Sequence, residues 1–269
     1  MNNKCAPNKV NSPYEVVKTC YDLPALKRMA NYLNKHKGQK INLNQKKDKL
    51  WESIKEALKN ECSGKDEKCY AEKTMNNSYV KEYFRPKKPD GKFTWLSNFD
   101  INEIMEQYEK KYKEFKFFGA LPSDFQKIKT PLNGQYIENL VKKGKIKYGI
   151  VFNTDPSNRP GQHWVSFFME LNPKDKTGSV EYFDSLGKKP IKSVDEYMKK
   201  LCLYCQTKFD YIIERKINKT PFQIKYDGDC GIFSVNFIIS RLNGKTFKKI
   251  ITTKVNEDKF NKCRDYYFS

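Results

Sequence analysis

Histidine is nearly missing from this chain: among 269 residues only His36 and His163 carry an imidazole. A four-ligand zinc site built from Cys and His is therefore poorly supplied, and neither a metal nor another cofactor is expected. Arginine is scarce as well, six against 46 lysines, so the forked contacts that read phosphates and base edges have few donors. No run approaches the ~20 apolar residues that cross a bilayer. The N-terminal MNNKCAPNKVNSPYEVV has no apolar stretch that could serve as a signal peptide. These absences predict a chain that neither inserts into a membrane nor is conventionally secreted.

What is present argues for a folded, wet-surfaced protein. Aromatics at 14% and apolar residues at 38% supply a core, and 31% charged residues supply a solvated exterior. The net charge of +20 is almost all lysine. One reading is compositional drift onto solvated faces, since Asn, Ile, Tyr and Phe are also abundant. The other is non-specific attraction to DNA or another polyanion. The eight cysteines are scattered, and a chain this long does not need disulfide staples, so a reducing compartment is expected. Cys202 and Cys205 form one CxxC with no second, and core packing explains them.

Two parts are expected: a helical, basic N-terminal arm over residues 1–85 and a core domain over 86–269. In the arm, Ser12, Pro13 and Glu15 look like a capped helix start. Leu26, Met29, Ala30 and Leu33, then Leu50, Trp51, Ile54, Ala57 and Leu58, recur at helical spacing. Arg85–Lys92, with two prolines and a glycine, breaks the pattern. Beyond it, Asn98 or Asp100 is a candidate cap for a helix through Tyr112. Strands are predicted at 148–152, 163–169, 179–183 and 209–213. Ser193 and Glu196 are predicted to box the start of a helix bearing Val194, Tyr197, Met198, Leu201 and Tyr204. Finally, Cys230–Ile239 is apolar nearly all round, as a helix buried on most sides must be.

Cys230 opens that last helix after the tight turn Asp227-Gly-Asp-Cys-Gly231. A helix N-terminus and a neighbouring imidazolium both stabilise a thiolate, and the Cys230 amide there could donate to an oxyanion. A structural cysteine at a helix cap would look similar. His163 begins an apolar strand after a Pro-Gly turn, in the longest stretch without lysine, between Lys147 and Lys174. His36 lies at a Lys-rich helix end, where a solvated role suits it. A histidine base needs an orienting acid. Asp184 supplies it if residues 172–178 form a hairpin, with Asp155 as competitor. Gln223, seven residues before Cys230, could place a second donor on the same carbonyl.

His163-Trp164, Tyr182-Phe183-Asp184-Ser185, Gln223 and Asp229-Cys230-Gly231-Ile232-Phe233, in that order, resemble the SUMO-specific and adenovirus-type cysteine proteases. Trp95-Leu96 is similar to the segment that opens that domain. The likeness is greatest to the African-swine-fever-type viral polyprotein proteases and covers about residues 93–245. The seven-residue offset from Gln223 to Cys230 follows the adenovirus spacing rather than the SUMO-protease one. The resemblance implies an α+β fold, with a mixed central sheet and a buried helix bearing the nucleophile. It implies His163, Asp184, Gln223 and Cys230 as catalytic, and Trp164, Asn153 and Gly231 as contacts to substrate. It also implies cleavage of a viral structural polyprotein after Gly-Gly-type sites, in the host cytoplasm and the virion. Rival readings are a deSUMOylating or deubiquitinating isopeptidase, an effector-type acetyltransferase on the same fold, and a non-enzymatic basic DNA-binding protein.

Overall fold

In the computed structural model, which describes residues 4–11, 17–62, 66–91, 94–128, 133–224 and 227–269, the chain divides between Lys88 and Pro89 into two units. Asp265–Ser269, expected in the second part, belong to the first.

The described residues of the first unit include α1 (Leu23–Lys37), α2 (Lys47–Ala57), α3 (Lys68–Thr74) and α4 (Asn77–Tyr83). Asp22 starts α1 by accepting a hydrogen bond from the Ala25 amide, with a proline in the first turn, and Gly38 at φ 65° stops it. The two apolar stripes read from the sequence meet in one core around Tyr21, whose ring lies 5.4–5.6 Å from Trp51, Tyr83 and Phe84. The helix start expected at Ser12–Glu15 lies outside the described residues. The expectation of reduced thiols is corrected: Cys5 pairs with Cys20, and Cys62 with Cys69. Whole-chain length was the wrong measure, because the part that needs stapling is this small unit of short helices.

The second unit begins with Ser97, not Asn98 or Asp100, as the cap of α5 (Asn98–Lys111). Ser97 and Asp100 bond to each other's backbone in a capping box. Then come β1 (Phe115–Leu121), α6 (Gly134–Lys142), β2 (Lys147–Asn153), β3 (Trp164–Asn172), β4 (Thr177–Phe183), α7 (Lys192–Phe209), β5 (Ile212–Ile217) and α8 (Cys230–Leu242). The sheet is mixed, in the order β1-β2-β3-β4-β5, with parallel pairs at its two edges and antiparallel pairs between. The hairpin expected at 172–178 is present, Asn172 pairing with Thr177. Two expectations are corrected. The Ser193 box does not form, because the cap position falls two residues earlier, on Ile191, which has no side-chain cap bond. Phe209 ends α7 rather than opening a strand, since Asp210 turns left-handed at φ 56°.

One face of the sheet packs on α6 and α7 through Tyr148, Phe152, Phe167 and Tyr182. The other face receives α8. Phe183 stacks on Phe237 at 4.8 Å, and Ser166 donates 2.9 Å to the Ser234 carbonyl. Arg241, in the last turn of α8, reaches Glu181 on β4 at 2.7 Å and Glu170 on β3 at 2.6 Å. Glu181 is fully buried, and its burial raises its pKa more than Arg241 lowers it. This interior charge contact fixes the far end of α8, and therefore the direction in which its N-terminus points.

Candidate active site

Three elements converge. His163 sits immediately before β3, Asp184 immediately after β4, and Cys230 at the first residue of α8. Because β3 and β4 are antiparallel, with Ser166 paired to Phe183, the start of one and the end of the other lie side by side. His163 Nε2 lies 2.7 Å from Asp184 Oδ1. With that nitrogen donating to the carboxylate, Nδ1 remains for the hydrogen bond that joins His163 to Cys230. Burial disfavours charge on His163, but the hydrogen bonds and negative charges of Asp184 and Cys230 outweigh it. Together they push the imidazole up to about 9. The imidazolium form therefore predominates at neutral pH, opposite a sulfur at a helix N-terminus.

Asp155, the competing acid, is not the partner. It sits in the turn after β2, where its amide donates to Asn153 Oδ1 at 2.9 Å and its carbonyl accepts from the Ser123 amide.

Asp184 is itself held on every side. Its Oδ1 also accepts from the Leu186 amide at 2.8 Å, and its backbone forms a reciprocal pair with the buried Asn218. The Asp184 amide donates to Asn218 Oδ1 at 2.8 Å, and Asn218 Nδ2 donates to the Asp184 carbonyl at 2.7 Å. The next residue, Ser185, binds Gln223. Its hydroxyl donates to Gln223 Oε1 at 2.7 Å, and its carbonyl accepts from the amides of Phe222 and Gln223. The turn after β4 and the strap over residues 218–223 are thus laced together. Gly187, at φ 69°, permits the closeness: a Cβ there would lie 2.9 Å from backbone atoms of Lys219, Thr220 and Pro221.

A second lacing involves Leu96. Its carbonyl accepts from Trp164 Nε1 at 2.8 Å, and its side chain packs on Gly231, where a Cβ would stand only 3.0 Å away. The residue after His163 and the residue after Cys230 thus share one neighbour. Gly231 is buried there, so its close approach is to Leu96. The turn before Cys230 is anchored by Arg264, which donates to the Gly228 carbonyl at 2.8 Å, to Asp229 Oδ1 at 2.9 Å and to the Thr94 carbonyl at 2.8 Å. Burial raises the Asp229 pKa against the pull of Arg264.

Beside Trp164 and Leu96 opens a groove of about 570 Å³, walled by Trp95, Leu121, Ile128, Pro156 and Asn153. Trp95 and Ile128 are exposed within it. Asn153 shapes its rim, and Gly161 closes against the Asn153 side chain, leaving no space for a Cβ. Cys230 is only 1% exposed. The sequence reading missed Asn218, Arg264 and the packing role of Leu96. Asn218 lies in the polar run Asn-Lys-Thr and gives no local signal, and Arg264 acts across 35 residues.

Residues 94–268 match the Ulp1 protease family, C-terminal catalytic domain. A protein of Acanthamoeba polyphaga mimivirus named as a thiol protease is 32% identical over 99% of this chain and 93% of its own length. A cysteine protease of African swine fever virus is 27% identical over 64% of this chain and 67% of its own. The crystal structure of the African swine fever virus protease shares the fold. It superposes with a TM-score of 0.69 at 20% identity, covering 100% of this chain and 96% of that one.

Proposed function

Since this chain belongs to the Ulp1 protease family and is a cysteine protease, we propose that it is an endopeptidase in which Cys230 attacks, His163 carries the proton and Asp184 orients His163. The observation that carries this reading is the imidazole of His163, bonded to Asp184 on one side and to Cys230 on the other. Cys230 Sγ, as thiolate, adds to the scissile carbonyl carbon. The carbonyl electron pair moves to oxygen, where the Cys230 amide and the side-chain amide of Gln223 receive it. Ser185 supports that role for Gln223, because by occupying Oε1 it turns the NH₂ end the other way. The tetrahedral centre collapses as the C–N bond breaks, and the imidazolium protonates the departing amine. A water, deprotonated by the now neutral imidazole, then hydrolyses the thioester and restores the thiolate–imidazolium pair.

Burial of the nucleophile favours substrates without bulk at the cleavage point, which supports Gly-Gly-type sites. The viral origin of the relatives supports a viral structural polyprotein as substrate, with virion and infected cytoplasm as the setting. The test is incubation with Gly-Gly-X peptides and, separately, with acetyl-CoA and protein acceptors. Cleavage after Gly-Gly that disappears in Cys230→Ala is expected. Acetyl transfer without cleavage, or cleavage confined to ubiquitin-like conjugates, would overturn the reading.

A further inference from the structure

The first unit carries a concavity of about 1140 Å³ between the α1–α2 connection and α2. Its charge is one-sided. Lys40, Lys46, Lys49 and Lys59 line it, against the single acid Glu56. Glu56 is paired by Lys59, and among the described residues no carboxylate partners Lys40, Lys46 or Lys49. Three lysines without a carboxylate partner therefore line the same hollow.

The backbone that displays them is ordered. Asn34 on α1 clamps Ile41 in both directions, donating to its carbonyl at 2.9 Å and accepting from its amide at 2.8 Å. Gln45 ties the next turn by donating to the Asn42 carbonyl at 3.0 Å and to Ser53 at 3.3 Å. A fixed frame lowers the entropy lost when a ligand is bound.

What the lining lacks narrows the ligand. It contains no arginine, so forked readout of base edges is unavailable. It contains no aromatic ring, so unpaired bases have no stacking platform. It contains no large exposed apolar side chain to enter a lipid layer. It does contain Gln39, Asn42 and Asn60, whose amides suit phosphate oxygens.

We propose that this concavity binds the phosphate backbone of duplex nucleic acid without regard to sequence. Lysine point charges that displace condensed counterions would hold the duplex there. The site is separate from the catalytic residues, so the proposal stands or falls independently of the peptidase reading.

The experiment is fluorescence anisotropy of the full-length protein with a labelled duplex of about 20 base pairs, two helical turns, between about 50 and 200 mM salt. Wild type is compared with Lys40→Glu/Lys46→Glu/Lys49→Glu and with a charge-matched control outside the hollow, Lys27→Glu/Lys35→Glu/Lys73→Glu. The first triple should reduce the slope of log K against log salt by about 2–3, one displaced counterion per lysine, and weaken binding at least about tenfold at the lowest salt. The control should change both far less, and duplexes of different sequence should compete equally. Equal losses in both triples would overturn the site in favour of diffuse charge. No measurable duplex binding, or tighter binding to anionic phosphatidylserine vesicles at equal phosphate, would overturn the ligand. Should the glutamate triple fail to fold by circular dichroism, Lys40→Gln/Lys46→Gln/Lys49→Gln is read by the same criteria.

Discussion

Ser185 grips Gln223 at both ends, its hydroxyl 2.7 Å from the side-chain oxygen and its carbonyl 3.0 Å from the backbone amide. Ser185 follows Asp184 directly, so the carboxylate bonded to His163 and the amide proposed for the oxyanion are set by one turn. Gln223→Ala should lower kcat by about 10²–10³, with KM little changed, because the lost donor acts on charge that develops only in the transition state. Ser185→Ala leaves the backbone bonds in place and should cost about tenfold, the worth of one neutral hydrogen bond. Steady-state kinetics on a fluorogenic Gly-Gly peptide separates the two.

The imidazole of His163, pushed up to about 9, gives a pH signature. Its folded pKa lies above the ordinary 6.5. The stabilisation it contributes is therefore complete below pH 6.5 and is lost as pH rises through about 9. Urea unfolding at pH 6 and pH 10 should show wild type losing stability over that interval, and Cys230→Ala losing less, since one of the two raising partners is gone. In NMR titrations, which with two histidines are easily assigned, His163 should titrate lower in Cys230→Ala than in wild type. Asp184→Asn should lower kcat/KM by roughly 10²–10⁴.

The sequence made His163, Asp184 and Cys230 legible as candidates because each carries a local signal: a histidine at the start of a strand, an acid at the end of the next, a cysteine after a Gly-Asp turn. The groups that hold them are legible only in three dimensions. Asn218 clamps Asp184 across 34 residues and reads locally as a surface asparagine. β1 escaped notice because Phe115-Lys-Phe-Phe-Gly-Ala-Leu121 does not alternate cleanly and its register shifts between Phe117 and Ala120. The α7–β5 junction was misplaced because Phe209-Asp-Tyr-Ile-Ile213 has strand composition throughout, while the left-handed Asp210 decides where the helix ends.

Gly187 marks the place where the turn after β4 meets the strap. Gly187→Ala should destabilise the second unit by about 1–3 kcal/mol, since it adds a left-handed backbone penalty to a clash with residues 219–221. Activity should fall with it, as the strap carrying Gln223 is displaced. Urea denaturation followed by tryptophan fluorescence measures the first effect and peptide turnover the second.

Arg264 is the cation beneath the turn that leads into Cys230. Arg264→Met leaves the Asp229 carboxylate buried beside Cys230 without its partner, at a cost of roughly 3–5 kcal/mol. Adding Asp229→Leu should recover much of that loss, because the unpaired charge is removed with it. Chemical denaturation of the single and double variants completes the comparison.

The most direct test of the account is covalent capture of the nucleophile. A Gly-Gly vinyl-sulfone peptide is reacted with wild type, His163→Ala and Cys230→Ala at pH 7, and the adduct is located by peptide mass mapping. A single adduct on Cys230, slowed at least about 10²-fold in His163→Ala, is the expected result. Labelling of Cys202, Cys205 or Cys263 in its place, or a Cys230 rate indifferent to His163, would contradict it.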